Sequence, residues 1–172
     1  MRILVNRIIL AASLEARLYE RVRADPKTLD QAAVVVALSG LAAGVGAMGR
    51  GGLGGLFVGT LVALSGWCLW ATLTYLTATK LLPGPRRITD IWEWARPLGF
   101  SAAPGLIRVV GIVPLLSEMV VLVASMWMLV AMVVAVQAVD FSATGRAVAV
   151  SVIGWLVYLV IEFLWYAAAG VA

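Results

Sequence analysis

Histidine is absent from the 172-residue chain and Cys68 is its only cysteine. Together these absences exclude His or Cys zinc sites, histidine-ligated haem, internal disulfides and Cys-His nucleophile pairs. Cys68 falls in the middle of a long apolar run, where a small buried hydrophobe is the expected role rather than a reactive thiol. Charge is scarce too: Asp, Glu, Lys and Arg make up 13% of the chain, against about 25% in an ordinary soluble domain. No Gly-x-Ser-x-Gly, no CxxC and no phosphate-cradling loop ending in Lys-Ser/Thr occurs. The glycine cluster from Gly49 to Gly55 lacks a following lysine and reads as a turn. No catalytic set, cofactor site or metal site is therefore assigned.

What the chain does have is apolar sequence. Hydrophobic residues make up 63% of it and the mean hydropathy is +1.02, more than a water-soluble fold can hide. The pattern predicts an all-α, polytopic transmembrane helix bundle in which residues 29–172 hold five spans, preceded by a polar, amphipathic lead-in over residues 1–28. In the lead-in, Leu4, Ile8, Ala11, Leu14, Leu18 and Val22 recur at helical spacing with Arg7, Arg17, Arg21 and Arg23 beside them. Such a helix lies in the membrane interface or packs on the protein's own cytoplasmic face. The run Ile3 to Ala12 is interrupted by Asn6 and Arg7, so the N-terminus reads as retained rather than as a signal peptide. Asp25-Pro26 should end the helix, with Thr28 or Asp30 capping the next one.

Spans are expected at about Leu29–Met48 and Leu53–Thr79, joined by a turn at Gly49 to Gly52. Gly40 and Gly44 on the first, and Gly51, Gly55 and Gly59 on the second, repeat every four residues, the spacing that lets two helix backbones approach. An antiparallel hairpin packed through these faces follows. The loop Lys80 to Arg96 brings Arg86, Arg87, Trp92, Trp94 and Arg96 together, a combination suited to the headgroup layer. A short third span between Pro97 and Pro114 should kink or unwind near Phe100 to Pro104, because proline removes a backbone hydrogen bond. The fourth and fifth spans run from about Leu115 to Val139 and from about Ala147 to Ala169.

Eleven Lys and Arg residues flank the spans on the N-terminal side of the membrane, and Arg50 alone lies on the other. That bias puts the N-terminus in the cytoplasm and, after five crossings, the C-terminus outside. The basic residues flank apolar spans instead of forming a stripe, so anionic lipid is the expected partner and nucleic acid is not.

Three ionisable residues fall within span sequence: Arg108, Glu118 and Glu162. At ~1.5 Å per residue, Arg108 lies roughly 16 Å from the cytoplasmic end of its span and Glu162 roughly 22 Å along its own, heights within side-chain reach. A charge facing lipid is costly, so Arg108 is expected to turn inward toward one of these carboxylates, as a structural clamp or as a polar site for transport or ligand binding, with snorkelling toward the outer interface a third course.

Gly99-Phe100, Pro104-Gly105-Leu106, Pro114-Leu115, Trp127-Met128-Leu129, Asp140-Phe141-Ser142 and Gly145-Arg146-Ala147 carry a resemblance to the Yip-domain family, five-span membrane proteins named for yeast members that interact with Rab-type GTPases. Tyr19-Glu20 and Asp25-Pro26 resemble the lead-in of bacterial members. The Asp-Leu-Tyr-Gly-Pro type motif of eukaryotic members is missing, so the resemblance implies a prokaryotic branch in the inner or plasma membrane and no Rab GTPase partner. The reading that results is a non-enzymatic scaffold or adaptor acting through helix contacts and a basic cytoplasmic face. The alternatives are an accessory subunit meeting other membrane protein subunits, and a small transporter or channel.

Overall fold

The computed structural model describes residues 2–84, 90–141 and 143–168, without the side chains of Arg50, Tyr158 and residues 161–168. The described residues are all-helical, in the order α1 (Arg2–Ala12), α2 (Ala16–Ala24), α3 (Leu29–Leu76), α4 (Ile91–Phe100), α5 (Ser117–Asp140) and α6 (Thr144–Ala168). A 3-10 turn at Pro26–Thr28 precedes α3, a π-helical turn at Thr77–Leu81 follows it, and 3-10 segments at Ala103–Ile112 and Pro114–Leu116 link α4 to α5. Among the described residues, three helices are long and apolar enough to cross a membrane: Pro26–Gly49, Gly51–Leu81 and Pro114–Asp140. Within α6, the stretch Thr144–Val157, whose side chains are all described, is apolar but shorter.

The first two of these helices are arms of α3, folded on each other at Gly52. That residue has φ 55° and ψ −143°, a backbone region open essentially to glycine alone. The arms meet where neither has a side chain. A Cβ on Gly44 would strike Thr60 Oγ1 and the Leu56 carbonyl oxygen; one on Gly55 would lie 2.5 Å from the Ala47 carbonyl oxygen, one on Gly59 2.9 Å from Ala47 Cβ, and one on Gly40 2.7 Å from Leu64. These pairs run in opposite chain directions, which is the antiparallel hairpin. Gly51 is not in this seam, because a Cβ there would meet nothing within 4 Å. It precedes the bend and faces open space.

The chain expected as a third span takes a different form. Asp90 accepts the Trp92 N–H at 2.9 Å and starts α4, which runs through Pro97 and stops at Phe100. After the turn at Ser101 and Ala102 the backbone winds as a 3-10 helix from Ala103 to Ile112, with Pro104 in its opening turn where a missing N–H costs nothing. The winding sets the reach. Gly99 packs on Ala32, Gly105 on Ser39, the Arg108 carbonyl on Gly46 and the Ile112 carbonyl on Gly49, so residues 99–112 run parallel to residues 32–49. Seventeen α-helical steps of about 1.5 Å cover about 25 Å, and thirteen steps of about 2 Å cover the same length.

The lead-in also departs from a single helix. It breaks at Ser13 and Leu14, and Leu14 takes the left-handed φ of 61°. Its apolar stripe faces the protein: Ala11, Leu18 and Val22 are buried, and Leu4 and Ile8 pack on the core. Two rings close the end of α1, the buried Tyr19 donating from Oη to the Ala11 carbonyl at 3.0 Å and the exposed Trp127 from Nε1 to the Ala12 carbonyl at 2.9 Å. Burial pushes the Tyr19 phenol well above its ordinary range, so it remains a donor. Because Trp127 sits near the middle of α5, α1 reaches up the flank of that helix and α2 returns to the start of α3. Thr28 does not cap α3; its hydroxyl donates back to the Val22 carbonyl at 2.8 Å and to that of Asp25 at 2.7 Å.

The apolar core lies at this same end of the bundle, where Tyr19, Leu98, Phe100, Met132, Val136 and Val150 are buried together. Residues toward the start of α5, such as Met119 and Leu122, are exposed instead. The molecule is thus broad at the end holding the loops and narrow at the end holding the α3 bend.

Candidate functional site

Two regions gather the polar groups that the apolar elements leave over. The first is the broad end. Arg23 pairs with Glu93 at 2.5 Å and lies 4.9 Å over the Phe141 ring, joining α2 to α4 and to the end of α5. Arg96, only 7% exposed, donates to the Arg23 carbonyl and approaches Asp90 at 3.5 Å. Arg7 donates to Gln31 at 2.7 Å and lies 3.7 Å from Asp25. Arg146 pairs with the buried Asp140 and donates to the Leu82 and Ala78 carbonyls at the end of the second α3 arm. Carbonyls at a helix end lack intrahelical partners, so Arg146 ties that end to the α5–α6 connection. Four arginines thus cross-brace α1, α2, α4 and the ends of α3 and α5.

This changes the roles expected for several basic and aromatic residues. Arg96 and Trp94 are not headgroup anchors: both are buried, because α2 covers the face of α4 that carries Arg96 and the second α3 arm places Tyr75 edge-to-face on Trp94 at 5.8 Å. Arg7 is half-buried and serves as a brace. Arg17, Arg21 and Trp92 are exposed. Arg86 and Arg87 lie outside the described residues. Lys27 and Lys80 are exposed at the same end, together with Glu15, Glu20 and Asp30.

The second region is a cavity of about 340 Å³ between the α3 arms, α5 and α6, lined by Trp67, Trp70, Arg108, Ser125, Met128 and Trp155 among others. Arg108 reaches it from the 3-10 segment, whose close approach to Gly46 and Gly49 brings a cation-bearing backbone against α3. Trp70 Nε1 donates to the Ser151 carbonyl at 3.4 Å, bringing α6 onto the second arm. Glu118 is exposed in the first turn of α5, where a carboxylate suits the helix dipole. The Glu162 side chain lies outside the described residues. Arg108 therefore lines the cavity, while Glu118 is exposed at the start of α5.

Several contacts had no precedent in the spacing of the sequence. Gly46, Gly49, Gly99, Gly105 and Gly154 each leave room for a neighbour that a methyl group would displace, yet only Gly40, Gly44, Gly55 and Gly59 stand at the repeat that marks a helix seam. The braces could have been sought from Asp90, Glu93 and Arg96, which share one face at intervals of three, and from Asp140 and Arg146, which flank one turn.

The class these features define is an all-helical membrane protein. No family model, curated protein or solved structure matches the chain.

Proposed function

We propose that the chain is a non-enzymatic scaffold or adaptor of Yip-domain type in a prokaryotic inner or plasma membrane. In this reading it crosses five times, by the two α3 arms, the 3-10 segment beside the first arm, α5 and α6. The N-terminus is cytoplasmic and the C-terminus outside. Residues 1–28 form an amphipathic lead-in at the cytoplasmic end, where anionic lipid and partner subunits meet the protein.

The observation that carries the reading is the set of braces at the broad end. Arg7, Arg23, Arg96 and Arg146 are spent on internal contacts, and the helix ends they hold present Arg17, Arg21, Lys27 and Lys80 on a fixed surface. A surface held rigid by its own ion pairs loses little freedom when something docks on it, which favours association. Each exposed basic group near an anionic surface contributes ~1 kcal/mol.

The test is isolation from mildly solubilised membranes with quantification of copurifying proteins, alongside binding to phosphatidylglycerol vesicles. Replacing Arg17 and Arg21 by Gln should reduce both in a salt-dependent way while thermal unfolding stays unchanged. Unaltered partners and vesicle binding in that variant would refute the platform. Partners retained by it but released by bulky substitutions on the exposed face of the second α3 arm would favour the accessory-subunit reading. The cavity beside Arg108 favours a second reading, a small transporter or channel; solute flux into proteoliposomes of the purified protein, lost on Arg108→Gln in folded protein, would support that in place of the scaffold.

A further inference from the structure

The cavity beside Arg108 has the size and walls of a ligand site. Its volume of about 340 Å³ falls within the roughly 300–1,000 Å³ of pockets that hold small molecules, which are apolar with a few placed polar groups and recur between the helices of bundles. Three indole rings, those of Trp67, Trp70 and Trp155, supply apolar surface, and Arg108 and Ser125 supply the polar groups. None of the described lining residues is acidic. Arg108 also engages the protein itself, but a guanidinium offers five N–H donors and a bidentate carboxylate occupies two of them. Ser125 is half-buried and bonds to nothing among the described residues, whereas Thr60, Ser65 and Thr72 turn their hydroxyls back to carbonyls of their own helix. The site thus presents donors to an oxygen-bearing ligand.

Position along the bundle narrows the ligand. The Arg108 backbone packs on Gly46, six residues before the α3 bend at Gly52, so this part of the 3-10 segment stands about 9 Å from the narrow end. Trp67 and Trp70 follow the bend by fifteen and eighteen residues, about 22 Å and 27 Å along the second arm. The cavity is therefore long in the direction of the helices, with its cation toward the narrow end and its rings deeper in. Among the described residues its rim is Val62, Val121 and Leu159, exposed apolar side chains on the second α3 arm, α5 and α6, so a ligand enters from hydrocarbon. An amphiphile dissolved in a leaflet has this polarity, a charged head near the surface and an apolar tail below it. Size limits the tail: at about 30 Å³ for a water-sized group the cavity takes about eleven such groups, room for one chain of medium length and not for a two-chain lipid. A cationic head would be repelled by Arg108, and a neutral one would gain only an ordinary hydrogen bond.

We propose that the cavity binds a single-chain carboxylate of medium length from the bilayer, its head on Arg108 and the Ser125 hydroxyl and its chain against the three indoles. The inference rests on the chain being embedded in a bilayer and deepens the transport reading of this cavity without needing flux: saturable binding with no flux into proteoliposomes leaves the site standing and removes transport alone. Its test is equilibrium binding of radiolabelled decanoate and of decanol to the full-length protein in phosphatidylcholine nanodiscs, with empty nanodiscs as the blank. Wild-type protein should bind decanoate saturably and about tenfold more tightly than decanol, the effect of one charge-assisted hydrogen bond. Arg108→Gln should bring the two to equal affinity, and Arg108→Lys, which keeps the charge, should keep part of the preference. Ala63→Phe and Ser125→Phe, from two different helices, put a ring into the cavity and should weaken binding of both amphiphiles; one folded variant of the pair suffices. Equal affinity of wild type for decanoate and decanol, decanoate binding unaffected by Arg108→Gln in folded protein or by the folded filling variant, or displacement of decanoate by phosphatidylglycerol at equal mole fraction would overturn it.

Discussion

An arginine at the end of a membrane helix can face phosphate or be consumed by its own protein, and here the choice differs from residue to residue. Arg96 is buried with its guanidinium on a backbone carbonyl of α2, while Arg17 projects freely. Arg96→Gln should therefore destabilise the protein by about 1–3 kcal/mol, the cost of stripping a charged hydrogen bond from a buried site, and Arg17→Gln should change stability little. Thermal unfolding of both in the same detergent checks this, and equal midpoints would remove the brace. Gly44 and Gly51 divide in the same way. Gly44→Ala puts a methyl into the Thr60 hydroxyl and the Leu56 carbonyl, a clash of about 1–3 kcal/mol. Gly51→Ala meets open space and should be neutral or stabilising by up to about 1 kcal/mol through helix propensity.

Elements were legible where a repeat in the sequence encodes a face. Gly40, Gly44, Gly55 and Gly59 mark the seam of the α3 hairpin because glycines four apart line up on one side of a helix. The stripe through Leu4, Ile8, Ala11, Leu18 and Val22 likewise marks the covered side of the lead-in. Its break at Leu14 was not legible, since leucine carries no preference for the left-handed region it occupies. Pro104 announced an interruption in the third segment, whereas Pro97, expected to open that segment, lies inside α4. Proline could not announce a 3-10 helix of ten residues, because such a run is rare and is stabilised by what it packs on, here the glycines of an arm some sixty residues earlier. Trp94 and Arg96 were misplaced for a related reason: a tryptophan near an arginine suits the headgroup layer, and only α2 and α3, distant in sequence, turn them inward.

At the scale of the whole molecule, the uneven shape has its parallel in the charge distribution. Among the described residues, the ion-paired braces lie at the broad end, the end that also carries the exposed Arg17, Arg21, Lys27 and Lys80. In the proposed orientation the pairing of four arginines does not weaken the basic bias, because orientation is set while a chain is threading and before its side chains find partners. If the five-crossing reading holds, reporter fusions after Thr28 and Gly145 should report cytoplasm and a fusion after Arg50 the outside. A cytoplasmic report after Arg50 would require a different crossing number.

Arg146 adds a consequence in time. The carbonyls of Ala78 and Leu82 leave the ribosome before the Arg146 side chain that donates to them, so the end of the α3 hairpin is incomplete until the α5–α6 connection is made. A polypeptide stopped after α5 would hold three apolar crossing-length helices but lack the guanidinium that joins the Ala78 and Leu82 carbonyls to the α5–α6 connection.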